Sequence, residues 1–305
     1  MRHVLDLCEL TPDEVERIFV VTQDLKEKFK RGVREPLLPG RVQALLFEKP
    51  SLRTRVSFES AMTHLGGSTM FLGDDVGWGK RETPADFSRV ISEYVDVIVC
   101  RAKSHHKVEE LAKYCTCSVI NGLTDVAHPC QALSDLYTMR EFFGNLRGTK
   151  LAYVGDANNV AHSLALACGK LGVKLSIASP IGYQFSSAFL DKLKRETPKL
   201  ELELSVEPEK AVRGANAVYT DVWTSMGQEA ERIVREKAFI GYQVNASLMK
   251  TAASNAIFLH CLPARRGEEV TDEVMDGAQS AVIQQAGNRM HAQKGLLAWI
   301  LGVNV

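Results

Sequence analysis

The chain lacks the marks of a secreted, membrane-bound or nucleic-acid-binding protein. Its charges cancel: Lys plus Arg and Asp plus Glu each number 37 in 305 residues. With no global basic field, nucleic acid is not expected as a partner, and an anionic ligand needs a local site. No apolar run approaches the roughly 18 residues of a membrane span. A signal peptide is not expected either, because residues 1–10 mix charged and apolar types and Thr11-Pro12-Asp13-Glu14 reads as a helix start. The expected location is the cytoplasm. The seven cysteines are Cys8, Cys100, Cys115, Cys117, Cys130, Cys168 and Cys261, an odd number without a CxxC pair. A disulfide framework or structural zinc centre is therefore not expected. Cys115 and Cys117 share one strand face by spacing and read as buried small apolar residues.

What is present is an ordinary globular composition, 45% hydrophobic and 24% charged, in a chain long enough for two domains. Strand and helix signals alternate, which argues for parallel α/β architecture. Strands are expected at 42–47, 68–72, 95–100 and 117–120, with helices at 11–31, from Val56 onward, at 83–94, 106–114 and 129–143. Gly144-Asn145-Leu146-Arg147-Gly148 reads as a linker, after which the pattern restarts. Further strands are expected at 151–154, 174–178, 217–219 and 257–260, with helices at 160–171 and 292–301.

Several polar clusters fall just after strands and before helices, where open α/β sheets bind ligands. The first is Pro50-Ser51-Leu52-Arg53-Thr54-Arg55. Ser51 is a candidate N-cap, and a helix start offers free N–H groups and the positive end of the dipole. With Arg53 and Arg55 it reads as a phosphate cradle; the plainer reading is a capped helix with two solvated arginines. The second is His128-Pro129-Cys130-Gln131, with Pro at a first helical position. His128 can donate to a carbonyl oxygen as it becomes negative, although a lone His at a helix start is more often a surface or capping group. The third is Gly155-Asp156-Ala157-Asn158-Asn159, where a GxGxxG fingerprint is missing and the next strand carries no acidic residue for a ribose. A nicotinamide dehydrogenase is disfavoured on both counts. The fourth is Asp221-Val222-Trp223-Thr224-Ser225-Met226-Gly227, which by itself is a Gly-containing turn. Last come His260-Cys261-Leu262-Pro263 and Gly287-Asn288-Arg289-Met290-His291.

Taken together, PSLRTR, HPCQ, GDANN, DVWTSMG and HCLP resemble, in order, the motifs of the aspartate and ornithine carbamoyltransferases. The resemblance covers nearly the whole chain. It implies two parallel-sheet α/β domains facing across a cleft: residues 1–144 for carbamoyl phosphate and 148–287 for ornithine, with a C-terminal helix, 288–305, packing back on the first. It implies Ser51, Leu52, Arg53, Thr54 and Arg101 on the phosphate, and His128, Gln131, Cys261, Leu262 and Arg289 on the carbamoyl group, with backbone carbonyls acting at Cys261 and Leu262. Leu52 stands where the family usually has Thr. Asn159, Asp221, Ser225 and Met226 are implied for ornithine, and Arg53, Arg101, His128, Asp221 and Cys261 for catalysis. Aspartate-specific members place arginines in the loop that here carries Asp221. No metal or cofactor is implied, and the assembly implied is a homotrimer or a multiple of trimers. Gly77 stands where many members carry a Gln lent by the neighbouring subunit; Lys80 or Arg81 could take that contact. The activity implied is carbamoyl transfer to the δ-amine of L-ornithine. The alternatives are a catalytically silent metabolite-binding homologue and a carbamoyltransferase for a related amine.

Overall fold

A computed structural model describes residues 1–224 and 229–303. The chain divides into two compact units, Met1–Ser134 with Gly287–Val305, and Asp135–Ala286. The division falls inside a helix rather than at Gly144–Gly148.

The first unit opens with α1 (Pro12–Lys30), started by a capping box in which the Thr11 hydroxyl accepts from Glu14 N–H while the Glu14 carboxylate accepts from Thr11 N–H. Then follow β1 (Val42–Phe47), α2 (Leu52–His64), β2 (Ser68–Leu72), α3 (Pro84–Ser92), β3 (Val97–Arg101), α4 (His105–Tyr114), β4 (Ser118–Leu123) and α5 (Pro129–Phe143). The strands form a parallel sheet in the order β2-β1-β3-β4. All of β3 is buried, as expected for a parallel strand covered on both faces. Ala44, Leu46, Ile98 and Val119 pack with Val108 and Leu111 of α4 in one core cluster. β4 runs on to Leu123, past Ile120, although Asn121 and Gly122 are weak strand formers. The N-terminal segment explains this: Val4 bridges Ile120, and Asn121 donates through its backbone N–H to Val4 O and through its side-chain amide to Leu5 O.

The second unit contains β5 (Lys150–Val154), α6 (Asn159–Leu171), β6 (Lys174–Ala178), α7 (Ser187–Glu196), β7 (Leu202–Ser205), α8 (Pro208–Val212) and β8 (Ala217–Thr220). After these come α9 (Arg232–Ala238), α10 (Ala246–Met249), β9 (Ile257–His260), α11 (Asp272–Met275) and α12 (Val282–Ile300). The parallel sheet has the order β7-β6-β5-β8-β9. Ala152, Val154, Val218 and Phe258 face one core with Phe239 and Val244, and Tyr153 and Tyr219 stack 5.7 Å apart. α12 begins at Val282, well before the expected Ala292; its last turns belong to the first unit. Buried Gln285, Asn288 and Arg289 interrupt the apolar pattern of its early turns and hide the helix in the sequence.

Each sheet has one place where the strand order reverses direction, between β1 and β3 in the first unit and between β5 and β8 in the second. A crevice opens at the carboxyl ends of the strands at such a point. The clusters after β1, β5 and β8 lie at these points, and those after β4 and β9 follow the neighbouring edge strands.

Candidate active site

In the first unit, β1 and β3 are in register at Phe47 and Arg101, so the loop after β1 runs beside the end of β3. Ser51 caps α2 and accepts from Thr54 N–H at 3.3 Å. The Thr54 side chain is buried and accepts a 2.9 Å hydrogen bond from the Arg289 guanidinium, which reaches it from α12. Arg53 is half-buried, and Arg101 and Arg289 are buried. Burial, then Arg289 and Arg53, pushes the Arg101 guanidinium down to about 10. Arg101 Nε finds no hydrogen-bond partner among the described residues. Three guanidinium groups thus crowd one another, a costly arrangement that a bound dianion would relieve. Arg55 faces elsewhere: it pairs with Glu59 at 2.9 Å and lies over the Phe71 ring.

His128 precedes Pro129 at the start of α5 and is buried. Burial, Arg289 and Arg101 together hold its imidazole well below the ordinary value, so it is neutral near pH 7. A neutral imidazole still carries one N–H to donate. Gln131, in the first turn of α5, is buried too. Cys130 donates to Asn121 O at 3.5 Å, and burial pushes its thiol up to about 12, as for a packing residue.

In the second unit, Val154, Thr220 and His260 end three adjacent strands in register. Asp221 follows β8 and is buried, with both oxygens engaged. Oδ1 accepts from Val222 N–H at 2.8 Å and from the Cys261 thiol at 3.1 Å; Oδ2 accepts from Asn158 Nδ2 at 2.9 Å. Asn158 is also the N-cap of α6, its Oδ1 accepting from Val160 and Ala161 N–H. Arg235 of α9 pairs with Asp156 at 2.7 Å and donates to Trp223 O at 3.1 Å, which ties the loop after β5 to the loop after β8. After β9, Leu262 takes a positive φ of 59° ahead of a cis Leu262–Pro263 bond. Its N–H donates to His260 Nδ1 at 2.9 Å, which places the ring proton on Nε2, facing the fully buried Glu269 at 3.0 Å.

Asp221, His260 and Cys261 present donor atoms within 4.8 Å of one another. Both His260 nitrogens are already used, so the trio does not fit a divalent ion without breaking the turn.

The family models add an independent comparison. The model of the aspartate/ornithine carbamoyltransferase carbamoyl-P binding domain matches residues 2–141, and that of the Asp/Orn binding domain matches 147–300. The chain belongs to the aspartate/ornithine carbamoyltransferase family. Among its relatives, the ornithine carbamoyltransferase of Anoxybacillus flavithermus is 50% identical over 300 residues, covering 97% of this chain and 96% of that one. The Bacillus subtilis ornithine carbamoyltransferase is 48% identical over 98% of this chain and 94% of its own. The solved ornithine carbamoyltransferase of Pyrococcus furiosus superposes with a TM-score of 0.95 at 47% identity, covering 100% of this chain and 98% of that one. That of Thermus thermophilus gives 0.88 at 40% identity, over 98% of each chain.

Of the residues suggested by the family motifs, the structure brings Arg53, Thr54, Arg101, His128 and Arg289 together in the first unit. Leu52 is exposed in the first turn of α2, beside the Ser51 cap. In the second unit Asp221 and Cys261 are in contact, with Leu262 next in the turn. Asn159 lies half-buried at the start of α6, while the contact to Asp221 comes from its neighbour Asn158. Ser225 and Met226 lie outside the described residues. Asn158, Asp156, Arg235, His260 and Glu269 are the site groups that sequence reading passed over. The GDANN motif held a signal for Asn158, since an Asn two residues before a helical run is a candidate cap.

Proposed function

We propose that this family member transfers the carbamoyl group of carbamoyl phosphate to the δ-amine of L-ornithine, giving L-citrulline and phosphate. The observation that carries this reading is the anchored Asp221 carboxylate. An oriented, buried anion suits an ammonium group, and a second substrate carboxylate beside it would be repelled and left unpaired. The crowded guanidinium groups of the first unit support binding of a dianionic carbamoyl donor.

The δ-amine must be neutral to attack, although an alkyl ammonium has a pKa of roughly 10. Asp221 orients the bound amino acid; by itself its charge opposes loss of a proton from the ammonium. The amine nitrogen adds to the carbamoyl carbon, and the carbonyl oxygen becomes negative. In this reading His128 N–H, Arg53 and Arg101 stabilise that charge, with Gln131 and the backbone carbonyls of Cys261 and Leu262 holding the carbamoyl NH₂. Collapse breaks the bond to phosphate oxygen, and the departing phosphate takes the proton from nitrogen. Residues 1–144 with 288–305 serve the carbamoyl phosphate side and 148–287 the ornithine side, with no metal or cofactor in any step.

A homotrimer is part of this proposal. β2 is a sheet edge, and exposed Leu52, Val56, Met70 and Phe71 lie on it or on α2. An apolar surface beside an open edge strand favours a partner. Lys80 is held by Asp74 at 2.9 Å, so Arg81 is the better candidate to reach a neighbouring subunit. No helix among the described residues is long and apolar enough to cross a membrane, and we place the enzyme in the cytoplasm.

The test is a panel of ornithine, N-acetylornithine, putrescine and aspartate, each with carbamoyl phosphate. Ornithine should turn over fastest, with stoichiometric citrulline and phosphate. Faster turnover of aspartate would overturn the substrate assignment.

A further inference from the structure

Five cysteines are buried: Cys100, Cys115, Cys117, Cys130 and Cys168. Burial pushes the thiols of Cys100, Cys130 and Cys168 upward, as for inert packing residues. Cys115 and Cys117 are built differently. Cys115 caps α4 with φ −73° and ψ 139°, Thr116 is exposed, and Cys117 comes just before β4. Cys115 is extended and the chain bends through Thr116 and Cys117 before β4, which turns both thiols to the same side. That side meets α3, where the Cys115 thiol lies 3.7 Å from Ser88 O and the Cys117 thiol 3.6 Å from Ser92 Oγ.

Ser88 and Ser92 are one helical turn apart, so α3 sets two oxygen acceptors under two thiols. The Ser92 hydroxyl donates its own proton to Ser88 O at 2.6 Å and accepts from Thr116 N–H at 3.1 Å, which pins the Cys-Thr-Cys turn to the helix. The two thiols also lie within hydrogen-bonding reach of each other. Cys115 is 9% exposed and Cys117 4%, beneath the exposed Thr116. The pair stands at the amino end of β4, the opposite end of the sheet from Arg101 and His128.

We propose that Cys115 and Cys117 form a reactive dithiol, a modification site that takes small-molecule disulfides by exchange and closes to a Cys115–Cys117 disulfide. Cys117 attacks first. When it ionises, the Cys115 S–H turns from Ser88 O to donate to the new thiolate, which draws Cys117 down to about 7 and raises Cys115. The Cys117 thiolate forms a bond to one sulfur of the small disulfide, whose S–S bond breaks. The first small thiolate leaves and takes up the proton lost by Cys117. The Cys115 sulfur then attacks Cys117 in the mixed disulfide, and the second small thiolate leaves with the Cys115 proton. The protein sulfurs are oxidised, one small disulfide is reduced to two thiols, and no other reactant is consumed. Closure costs the two weak thiol hydrogen bonds to α3 and leaves the Thr116 anchor in place. The proposal is independent of the carbamoyl-transfer reading.

The test exposes the native full-length chain to oxidised glutathione, quenches with acid and maps each cysteine by peptide mass. The expected product is a 115–117 segment lighter by two hydrogens, with two glutathione thiols released for each disulfide formed there. Cys115→Ser should instead trap one glutathione on Cys117. Cys117→Ser should form no internal disulfide and carry at most one glutathione, on Cys115. Prior treatment with phenylarsine oxide, which bridges neighbouring thiols, should protect the wild type and neither variant. Persistent separate glutathione adducts on both cysteines would overturn the proposal. So would thiols at 115 and 117 that stay unmodified in the native chain while Cys8 and Cys261 react. The wild-type result stands without either variant, so poor folding of a serine variant does not rescue a negative outcome.

Discussion

Arg101 is buried beside two like charges and keeps one guanidinium N–H unused among the described residues. Such a group costs stability when empty and returns it when an anion arrives. Arg53 is the least buried of the three and the one that a substitution disturbs least structurally. Arg53→Ala should therefore fold and lose about 2–4 kcal/mol of transition-state stabilisation, read as a matching fall in kcat/KM for carbamoyl phosphate. Unchanged kinetics in the folded variant would remove Arg53 from the site. Asp221→Asn keeps the size of the side chain but loses the counter-charge for an ammonium; kcat/KM for ornithine should fall steeply while calorimetric phosphate binding holds. At this scale the sequence was informative where a polar residue follows the end of a parallel strand, as Arg53, His128, Asp221 and Cys261 do. It was silent on Glu269 and pointed to Asn159, whereas the contact to Asp221 is made by Asn158. Adjacent asparagines differ only in which one falls at the helix cap, and a buried carboxylate nine positions from its His partner carries no local pattern.

Between elements, close approach decides what is tolerated. A Cβ added to Gly295 of α12 would stand 2.2 Å from Thr22 Oγ1 and 2.6 Å from Ile18 O, on α1. The second contact is backbone and cannot rotate away. Gly295→Ala should push the two helices apart and cost about 1–3 kcal/mol in urea unfolding. The loops after β5 and β8 are joined by the Arg235–Asp156 pair and the Trp223 carbonyl. Arg235→Gln should loosen the approach to Asp221, raising KM for ornithine more than it lowers phosphate affinity; equal effects on both ligands would show a general loss of fold instead. The strands and long helices were readable from alternation and caps. β7 was not anticipated, because its four residues are only partly buried at a sheet edge. The early turns of α12 were hidden by the buried polar residues Gln285, Asn288 and Arg289.

For the molecule as a whole, two buried imidazoles make stability depend on pH. His128 is held well below its ordinary value, and His291 is drawn down to about 3 by burial and by Lys294, Lys26, His64 and Lys30. Both stay neutral when folded and take a proton when unfolded below about pH 6.5. The unfolded chain then binds more protons, so the stabilisation is whole above 6.5 and is lost as pH falls toward 3. Each group can contribute up to about 1.4 kcal/mol per pH unit in that window. The urea midpoint should fall between pH 6.5 and 5, and His291→Gln should flatten the slope; an unchanged slope would remove His291 from the effect.

The first unit is interrupted by the whole of the second, and its Lys26–Asn288 and Thr54–Arg289 hydrogen bonds join residues 262 and 235 positions apart. On a ribosome this becomes a matter of time. At about 5–20 residues per second, roughly 150 residues of the second unit take on the order of 10–30 s to emerge. During that interval the four strands of the first sheet have been made, but the helix that brings Arg289 to its Thr54 has not. The Thr54–Arg289 hydrogen bond therefore forms last, after the second unit has emerged, and a chain stopped before Gly287 leaves the first unit open along α1.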